Sequence, residues 1–198
     1  MSRPLVVTRT AVEDDLAALV NLAGELSELG GRAERAVNPL GAGEGPERLL
    51  AVLSEPNCRV VVALEGEVPV GFALLKIHAP DPLSDAQIVD VTHLFVDRAR
   101  RHRGVGHALM AAAADFAGER RVDHVAVSAY PSLRDTIRFF ARLGFAPMTV
   151  RRVAPVSVLR RRVSVEPGGQ AARRRRARLL RPAPPAPKHP GPVEAVDQ

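Results

Sequence analysis

Apolar and polar positions follow two different spacings along this chain, and the spacing changes from segment to segment. Short apolar runs rich in Val, Ile and Leu predict strands at five places: 4–10, 58–66, 68–80, 86–96 and 122–130. Apolar residues that recur every three or four positions predict helices elsewhere: from Thr10 to Gly30, and over 45–54, 103–120 and 132–144. Strand-like segments follow again within 145–164.

Local signals predict where helices begin and end. Thr10 followed by Glu13 is a capping-box pattern, and Gly30 stops the first helix. Ser132 is a candidate N-cap for the last helix and Gly144 its C-terminal stop. The resulting order is one strand, two helices, three strands, a helix, a strand, a helix and further strands. It predicts an α/β fold of the α+β kind rather than the regular alternation of a doubly wound sheet.

The net charge of +6 is unevenly distributed along the 198 residues. Residues 1–150 hold 16 basic and 19 acidic residues, whereas residues 151–198 hold 12 basic and 3 acidic ones. From about residue 165 the chain is rich in Pro, Gly and Arg, so it has too little to bury to offset its ordering entropy. We predict one domain over 1–164 and a disordered basic tail over 165–198. Nucleic acid would bind through this tail only, and a merely solvated extension is the alternative.

The amino-acid composition indicates what kind of core the protein has and in which cellular compartment we expect it. Hydrophobic residues make up 46% of the chain and aromatic residues 4%, which predicts a core built mainly from Ala, Val and Leu. Cys58 is the one cysteine, so an internal disulfide is excluded, and we expect it to be a buried small hydrophobic residue. No stretch approaches the roughly 20 apolar residues that span a bilayer. We expect a cytoplasmic protein.

The most informative segment is RHRGVGHA (101–108), which follows a predicted strand and opens a predicted helix. Glycine lets the backbone turn sharply and pass close to a ligand, and the free N–H groups of a first helical turn attract an anion. The segment therefore predicts a phosphate or pyrophosphate site. A dinucleotide-binding turn would need a third glycine where Leu109 stands, and a Walker loop would need Gly-Lys-Ser/Thr. On these residues alone, a turn without a ligand remains the alternative.

Two runs resemble motifs of the GCN5-related N-acetyltransferases. LFVDRARRHRGVGHAL (94–109) is similar to a hydrophobic strand ending in Val, followed by Arg/Gln-x-x-Gly-x-Gly/Ala at a helix start. Four residues match this motif in register: Val96, Arg101, Gly104 and Gly106. FFARLGF (139–145) resembles the second family pattern, Phe-Tyr-x-x-Leu-Gly-Phe. The resemblance extends over 4–164 in element order and implies a mixed, mostly antiparallel central sheet flanked by helices.

The resemblance implies that acetyl-CoA is the co-substrate. Its pantetheine arm would pair, like an added strand, with the backbone of Leu94, Phe95 and Val96, where this strand parts from the next. The N–H of Leu94 would face the acetyl carbonyl oxygen and stabilise the charge that develops there. The pyrophosphate would be held by the turn that follows: Arg101, His102, Arg103, Gly104, Val105, Gly106 and His107. No metal is expected.

Direct transfer requires an uncharged amine, so the resemblance also implies a general base. In the histone-acetylating branch a Glu stands eleven residues before the Arg/Gln position, and here Asp90 stands there. His93, on the same strand, is the alternative. If side chains alternate strictly, Asp90, Thr92 and Leu94 share one face and His93 points to the other, so only one of the two candidates faces the substrate.

The departing thiolate needs a proton, which many family members take from the Tyr of the second pattern. Phe140 stands at that position, and Leu133 replaces the family's Asn seven residues earlier. Tyr130, the only tyrosine, is a remaining candidate acid, with Ser128 and Ser132 on either side. Solvent can also protonate a thiolate.

Taken together, the sequence predicts an N-acetyltransferase, an acyl-CoA N-acyltransferase acting on a primary amine of a small molecule or protein by direct transfer. The alternative, suggested by Phe140, is an acyl-CoA-binding module with weak or no turnover that its basic tail tethers to RNA. The acceptor pocket would be built by 27–48 and 79–88, which carry no diagnostic cluster, so the acceptor is left open. The oligomeric state is also open, and a homodimer through paired sheets would be ordinary.

Overall fold

The computed structural model describes residues 5–29, 45–129 and 133–165. The chain divides into two compact units, Met1–Met148 and Thr149–Gln198, each of which is described by itself. Several predictions concern residues outside the described ranges: the helix stop at Gly30, the candidate cap Ser132, the candidate acid Tyr130 and the basic tail beyond 165.

Five strands form one sheet in the order β1-β2-β3-β4-β5. Their bounds are β1 Val6–Thr10, β2 Cys58–Glu65, β3 Val68–His78, β4 Ile88–Val96 and β5 Val125–Val127. Each of the first four strands pairs antiparallel with the next, whereas β5 runs parallel to β4. The mixed, mostly antiparallel sheet expected from the sequence is confirmed.

Helices cover both faces of this sheet. The helices are α1 Leu16–Leu29, α2 Gly45–Leu53, α3 Val105–Glu119, α4 Arg134–Arg142 and, in the second unit, α5 Val156–Val165. Helices α1 and α2 pack on one face, and α3 and α4 pack on the other. Across 5–29, 45–129 and 133–165, no helix is both long and apolar enough to cross a membrane.

Each face of the sheet has its own hydrophobic core. The α1/α2 side buries Leu19, Val62 and Phe72 among others, and the α3/α4 side is built around Leu109 and Phe116. Because β2, β3 and β4 are covered on both sides, they read as nearly continuous apolar runs in the sequence.

The start of the first helix differs from the capping-box prediction. Thr10 lies in β1, and the helical segment begins with a 3₁₀ turn at Glu13–Asp15. The carboxylate of Asp15, rather than that of Glu13, accepts the Val12 N–H at 2.8 Å. Arg9 holds this carboxylate in place through two hydrogen bonds of 2.6 and 2.8 Å, which fixes the helix start two residues later than predicted.

The prediction of strand-like segments within 145–164 is wrong. Residues 145–155 contain no strand, and α5 occupies Val156–Val165. The alternation at Val156 and Val158 favours a strand, but three consecutive arginines at 160–162 interrupt it. Val156, Leu159 and Val163 instead follow helical spacing.

Candidate functional site

Strand β4 extends beyond its pairing with β5. The parallel pairing joins Val89–Val91 to Val125–Val127, and β4 continues to Val96. Residues 93–96 are therefore paired with β3 on one side, and no described residue pairs with them on the other. Such an edge presents backbone N–H and C=O groups that can pair with an extended ligand.

Two residues of this open edge turn their backbone groups away from β3. The N–H of Asp97 donates to Val70 O at 2.9 Å, and alternate residues of an antiparallel pair face the partner strand. Phe95 therefore faces β3, whereas Leu94 and Val96 face the open side. Phe95 thus offers that side no backbone group, and its side chain is buried in the α1/α2 core.

Part of the Val96 backbone is already used. Its carbonyl oxygen accepts a hydrogen bond from Arg101 Nε at 3.1 Å, and the guanidinium lies 6.0 Å from the Phe95 ring centre. Arg101 therefore ties the end of β4 to the glycine turn that follows. The Leu94 N–H and C=O and the Val96 N–H are the groups that remain for a ligand at this edge.

A β-bulge at Thr92 changes which side chains share a face. Val91 lies opposite Leu75 and His93 lies opposite Leu74, so Thr92 is the extra residue. Because of this insertion, Asp90 and His93 both lie on the α1/α2 face, three positions apart. The prediction that they point to opposite faces is wrong.

The same insertion moves Leu94 to the other side. Its side chain packs with Val91 against the α3/α4 core, instead of sharing a face with Asp90. The sequence could not reveal this, since a strand with one extra residue looks like an uninterrupted one.

His93 has a polar neighbour at one ring nitrogen. Its Nδ1 lies 3.0 Å from Thr92 Oγ1, and that hydroxyl donates to Leu74 O at 3.2 Å. Burial lowers the pKa of His93 below its ordinary value, and the nearby Asp90 carboxylate opposes this only in part. His93 is therefore mostly uncharged at neutral pH, the state that a general base needs.

Asp90 is engaged by the ring of His78. Its Oδ2 lies 3.4 Å from His78 Nε2, and His78 Nδ1 lies 3.0 Å from Ala79 O. Lys76, directly opposite Asp90, donates to Glu55 at 3.1 Å. By contrast, His93 Nε2 has no hydrogen-bond partner within the described ranges, which favours His93 over Asp90 as the group that accepts a proton.

The first turn of α3 presents unused N–H groups. Gly104 caps the helix with φ 93°, a left-handed conformation that other residues adopt only with strain. The first main-chain bond of the helix runs from Ala108 N–H to Gly104 O at 3.0 Å. The N–H groups of Val105, Gly106 and His107 thus have no partner inside the helix, and together with its dipole they favour an anion.

Two contacts hold the turn between β4 and α3 in place. Asp97 accepts the Ala99 N–H at 2.8 Å, and Arg100 forms an ion pair of 3.2 Å with Glu65 at the end of β2. His102 adopts a positive φ of 62°. The turn between β4 and α3 is therefore held on both sides, with the side chains of Arg101 and Arg103 at its rim.

Two glycines let neighbouring elements approach this turn closely. A Cβ on Gly71, in β3, would lie 2.7 Å from Phe95 O, while one on Gly106 would lie 3.2 Å from Phe139 in α4. Gly106 therefore serves helix packing, and the His107 ring also packs edge-on against Phe139 at 5.2 Å. Sequence reasoning missed Gly71, because a glycine inside a strand gives no sign of what it approaches.

The position of the family's tyrosine is part of the core. Phe140 is 5% exposed and packs against Phe139 and Phe145 with ring centres 5.3 and 5.7 Å away. Cys58 lies in β2, where burial chiefly, together with Glu55, raises the pKa of its thiol to about 11. Neither side chain is suited to donate or accept a proton at neutral pH.

Comparison with known families decides the relationship of this chain. A profile of the acetyltransferase (GNAT) family matches residues 32–145, which is more than half of the chain. The protein belongs to the GNAT family. Members of this family use acetyl-CoA, and two features of this GNAT chain fit such a co-substrate: the open edge of β4 and the free N–H groups at the start of α3.

Solved structures share the GNAT fold. A transcriptional regulator from Bacillus halodurans C-125 is 21% identical with a TM-score of 0.64, and the match covers 76% of this chain and 99% of that one. The aminoglycoside N-acetyltransferase AAC(6')-Iy in complex with CoA is 17% identical, with a TM-score of 0.62 and coverages of 76% and 94%. A ribosomal-protein-alanine N-acetyltransferase from Brucella melitensis biovar Abortus 2308 is 18% identical, with a TM-score of 0.60 and coverages of 76% and 99%. A search of curated protein sequences found no match.

Proposed function

We propose that this GNAT protein transfers the acetyl group of acetyl-CoA directly to a primary amine. The observation that carries the proposal is the joining of the open edge at 93–96 to the free N–H groups at the start of α3 by one short, anchored turn. The strand edge suits an extended amide-containing arm, and the helix start suits a diphosphate. Coenzyme A carries both in one molecule.

Backbone groups of the site have separate tasks. Leu94 and Val96 pair with the pantetheine arm, and the Leu94 N–H donates to the acetyl carbonyl oxygen as negative charge develops there. One such donor contributes on the order of 3 kcal/mol to the transition state. The N–H groups of Val105, Gly106 and His107 donate to the pyrophosphate, with Arg101 and Arg103 adding positive charge. Acetyl-CoA supplies the thioester whose carbonyl carbon the amine attacks.

His93 acts as the general base. It shares the α1/α2 face with Asp90, its lowered pKa keeps the ring uncharged, and Nε2 is unpaired within the described part of the chain. Asp90 lies close enough to stabilise the positive charge that His93 acquires. The thiolate is protonated by Tyr130 or by solvent, since Phe140 lacks a proton to donate.

The acceptor is a small molecule or protein that carries an amine. Two structural neighbours are named as N-acetyltransferases of aminoglycosides and of ribosomal-protein alanine. An amine acceptor approaching the α1/α2 face meets the Asp90 carboxylate, which attracts an ammonium group before deprotonation.

A second function is favoured by one observation. Phe140, at the position of the usual acid, is buried among aromatic rings, so the protein would bind acyl-CoA with weak or no turnover. In that case the basic tail would link the bound acyl-CoA to RNA.

Thiol release separates the two functions. The full chain is mixed with acetyl-CoA and, in turn, an aminoglycoside, a polyamine and a peptide with a free N-terminus. An acetyltransferase releases CoA thiol faster with at least one amine than with none, and mass spectrometry finds that amine heavier by one acetyl group. CoA binding without amine-stimulated release from this panel would instead support the binding module.

A matched pair of histidine variants tests the base. His93→Gln should lower kcat/KM by roughly 10²- to 10⁴-fold, the range typical of a lost general base. His124→Gln, at an exposed position just before β5, should leave the rate unchanged. Equal rates for the two variants would remove His93 from the mechanism.

A further inference from the structure

The β-bulge of β4 places a hydroxyl against the proposed base. Thr92 is the residue that lacks a partner on β3, and its Oγ1 lies within hydrogen-bond distance of both Leu74 O and His93 Nδ1. We propose that Thr92 is a positioning residue that holds His93 in the Nδ1–H tautomer and leaves Nε2 as the proton acceptor. The role of Nε2 rests on the proposed function, whereas the tautomer does not.

The number of protons at this contact decides the tautomer. A threonine hydroxyl has one hydrogen, and a carbonyl oxygen can only accept. The one hydroxyl hydrogen of Thr92 can serve either Leu74 O at 3.2 Å or His93 Nδ1 at 3.0 Å; when it is donated to Leu74 O, Nδ1 is the donor in the contact with His93. A neutral imidazole carries one N–H, so Nε2 then carries the lone pair.

The opposite tautomer would break this chain of bonds. With the hydrogen on Nε2, the hydroxyl would have to turn from Leu74 O towards Nδ1, and the carbonyl would lose its side-chain donor. In water the Nε2–H form of a histidine side chain is the more populated one. The bulge therefore favours the form that water disfavours, which is the purpose that we assign to Thr92.

The lone pair on Nε2 is the proposed proton acceptor. No hydrogen bond within the described ranges engages Nε2 of His93. In the reaction, the bond between the amine nitrogen and the acetyl carbon forms and the carbon–sulfur bond breaks. The amine proton moves to Nε2 and then to solvent, and the thiolate takes a proton from an acid or from water. Nδ1–H stays bonded to Thr92 throughout.

Nitrogen NMR of the full chain reads the tautomer without any substrate. The protein is labelled with ¹⁵N-histidine and observed at pH 8, above the ordinary histidine pKa of about 6.5. The His93 signals are identified by their loss in His93→Gln. We expect a protonated Nδ1 and an unprotonated Nε2 for His93, and the reverse pattern would overturn the proposal.

Two variants separate the hydroxyl from the shape of the side chain. Thr92→Val keeps the shape without the hydroxyl and should shift His93 towards the Nε2–H form. Thr92→Ser keeps the hydroxyl and should preserve the Nδ1–H form. An unchanged His93 tautomer in Thr92→Val would contradict the proposal. If that variant does not fold, the wild-type protein and Thr92→Ser still decide, because both must show Nδ1–H.

Kinetics then connect the tautomer to the reaction. With an amine that the protein acetylates, Thr92→Val should lower kcat/KM about 5- to 10-fold, the equivalent of one lost hydrogen bond, and Thr92→Ser should restore most of it. CoA affinity should be unchanged in both. A protein that shows the expected tautomer but acetylates no amine would refute the proposed function and leave the positioning by Thr92 standing.

Discussion

Replacing Gly71 with alanine should damage both stability and CoA binding. The added Cβ would lie 2.7 Å from Phe95 O and 3.3 Å from Val105 Cγ1, whereas ordinary contacts begin at 3.4 Å. Because the nearest atom belongs to the backbone of β4, it cannot rotate away. Either the end of β4 or the first turn of α3 must move, and both belong to the proposed site.

Two opposing effects set the change in folding stability of Gly71→Ala. Overpacking of this kind costs about 1–3 kcal/mol. Alanine also reduces the conformational entropy of the unfolded chain, which stabilises the folded state by about 0.4–1 kcal/mol. We expect a net loss near 1–2 kcal/mol, which for a chain of this size lowers Tm by roughly 2–8 °C. Misplacement of the site should weaken CoA binding at least tenfold, about 1.4 kcal/mol.

Gly24→Ala is the matched control. Gly24 lies in α1, and nothing lies within 4 Å of an added Cβ. Alanine there should stabilise the helix by roughly 0.5–1 kcal/mol and leave CoA affinity unchanged. Thermal unfolding and calorimetric titration with CoA measure both quantities. If Gly71→Ala were as stable as Gly24→Ala, the close approach of β3, β4 and α3 would be refuted.

Three further changes test separate contacts. Gly104 and Gly144 have nearly equal positive φ angles of 93° and 90°, so alanine at either position should cost about 1–2 kcal/mol of stability. Calorimetry should nevertheless show weaker CoA binding only for Gly104→Ala. With a thiol pKa of about 11, roughly one Cys58 in a thousand is ionised at pH 8, so iodoacetamide should alkylate it far more slowly than free cysteine. Arg9 holds the pKa of Asp15 below its ordinary value, so the ionised carboxylate stabilises the fold at neutral pH and loses this effect as the pH falls through the folded-state pKa. In urea unfolding, Asp15→Asn should therefore be less stable than wild type at pH 7, with a difference that shrinks towards pH 2.

The regular elements were largely readable from the sequence because their patterns are local. The five strands and the four helices before residue 145 depend on spacing and on nearby glycines, and the structure confirms them. The prediction for the segment after 145 failed because the valines at 156 and 158 favour a strand, whereas the pattern over the whole segment suits α5. Where local signals compete in this way, the pattern over the whole segment determines the structure, rather than a few neighbouring residues.

The site was readable only in part, since its decisive features depend on pairing between strands. The glycine turn at 101–108 was identified correctly as a helix start, and its role towards a diphosphate stays a proposal. The bulge at Thr92 could not be predicted, because an extra residue becomes visible only when β4 is aligned with β3. For the same reason, the shared face of Asp90 and His93 and the contact made by Gly71 were missed.

Backbone NMR during a titration with CoA tests the central claim most directly. With the full chain labelled in ¹⁵N, the amides of Leu94 and Val96 and those of Val105, Gly106 and His107 should show the largest shifts, and they should shift together along one binding curve. If CoA moves none of these amides, or moves only those of the arginine-rich tail, the open edge of β4 and the start of α3 are not the binding site.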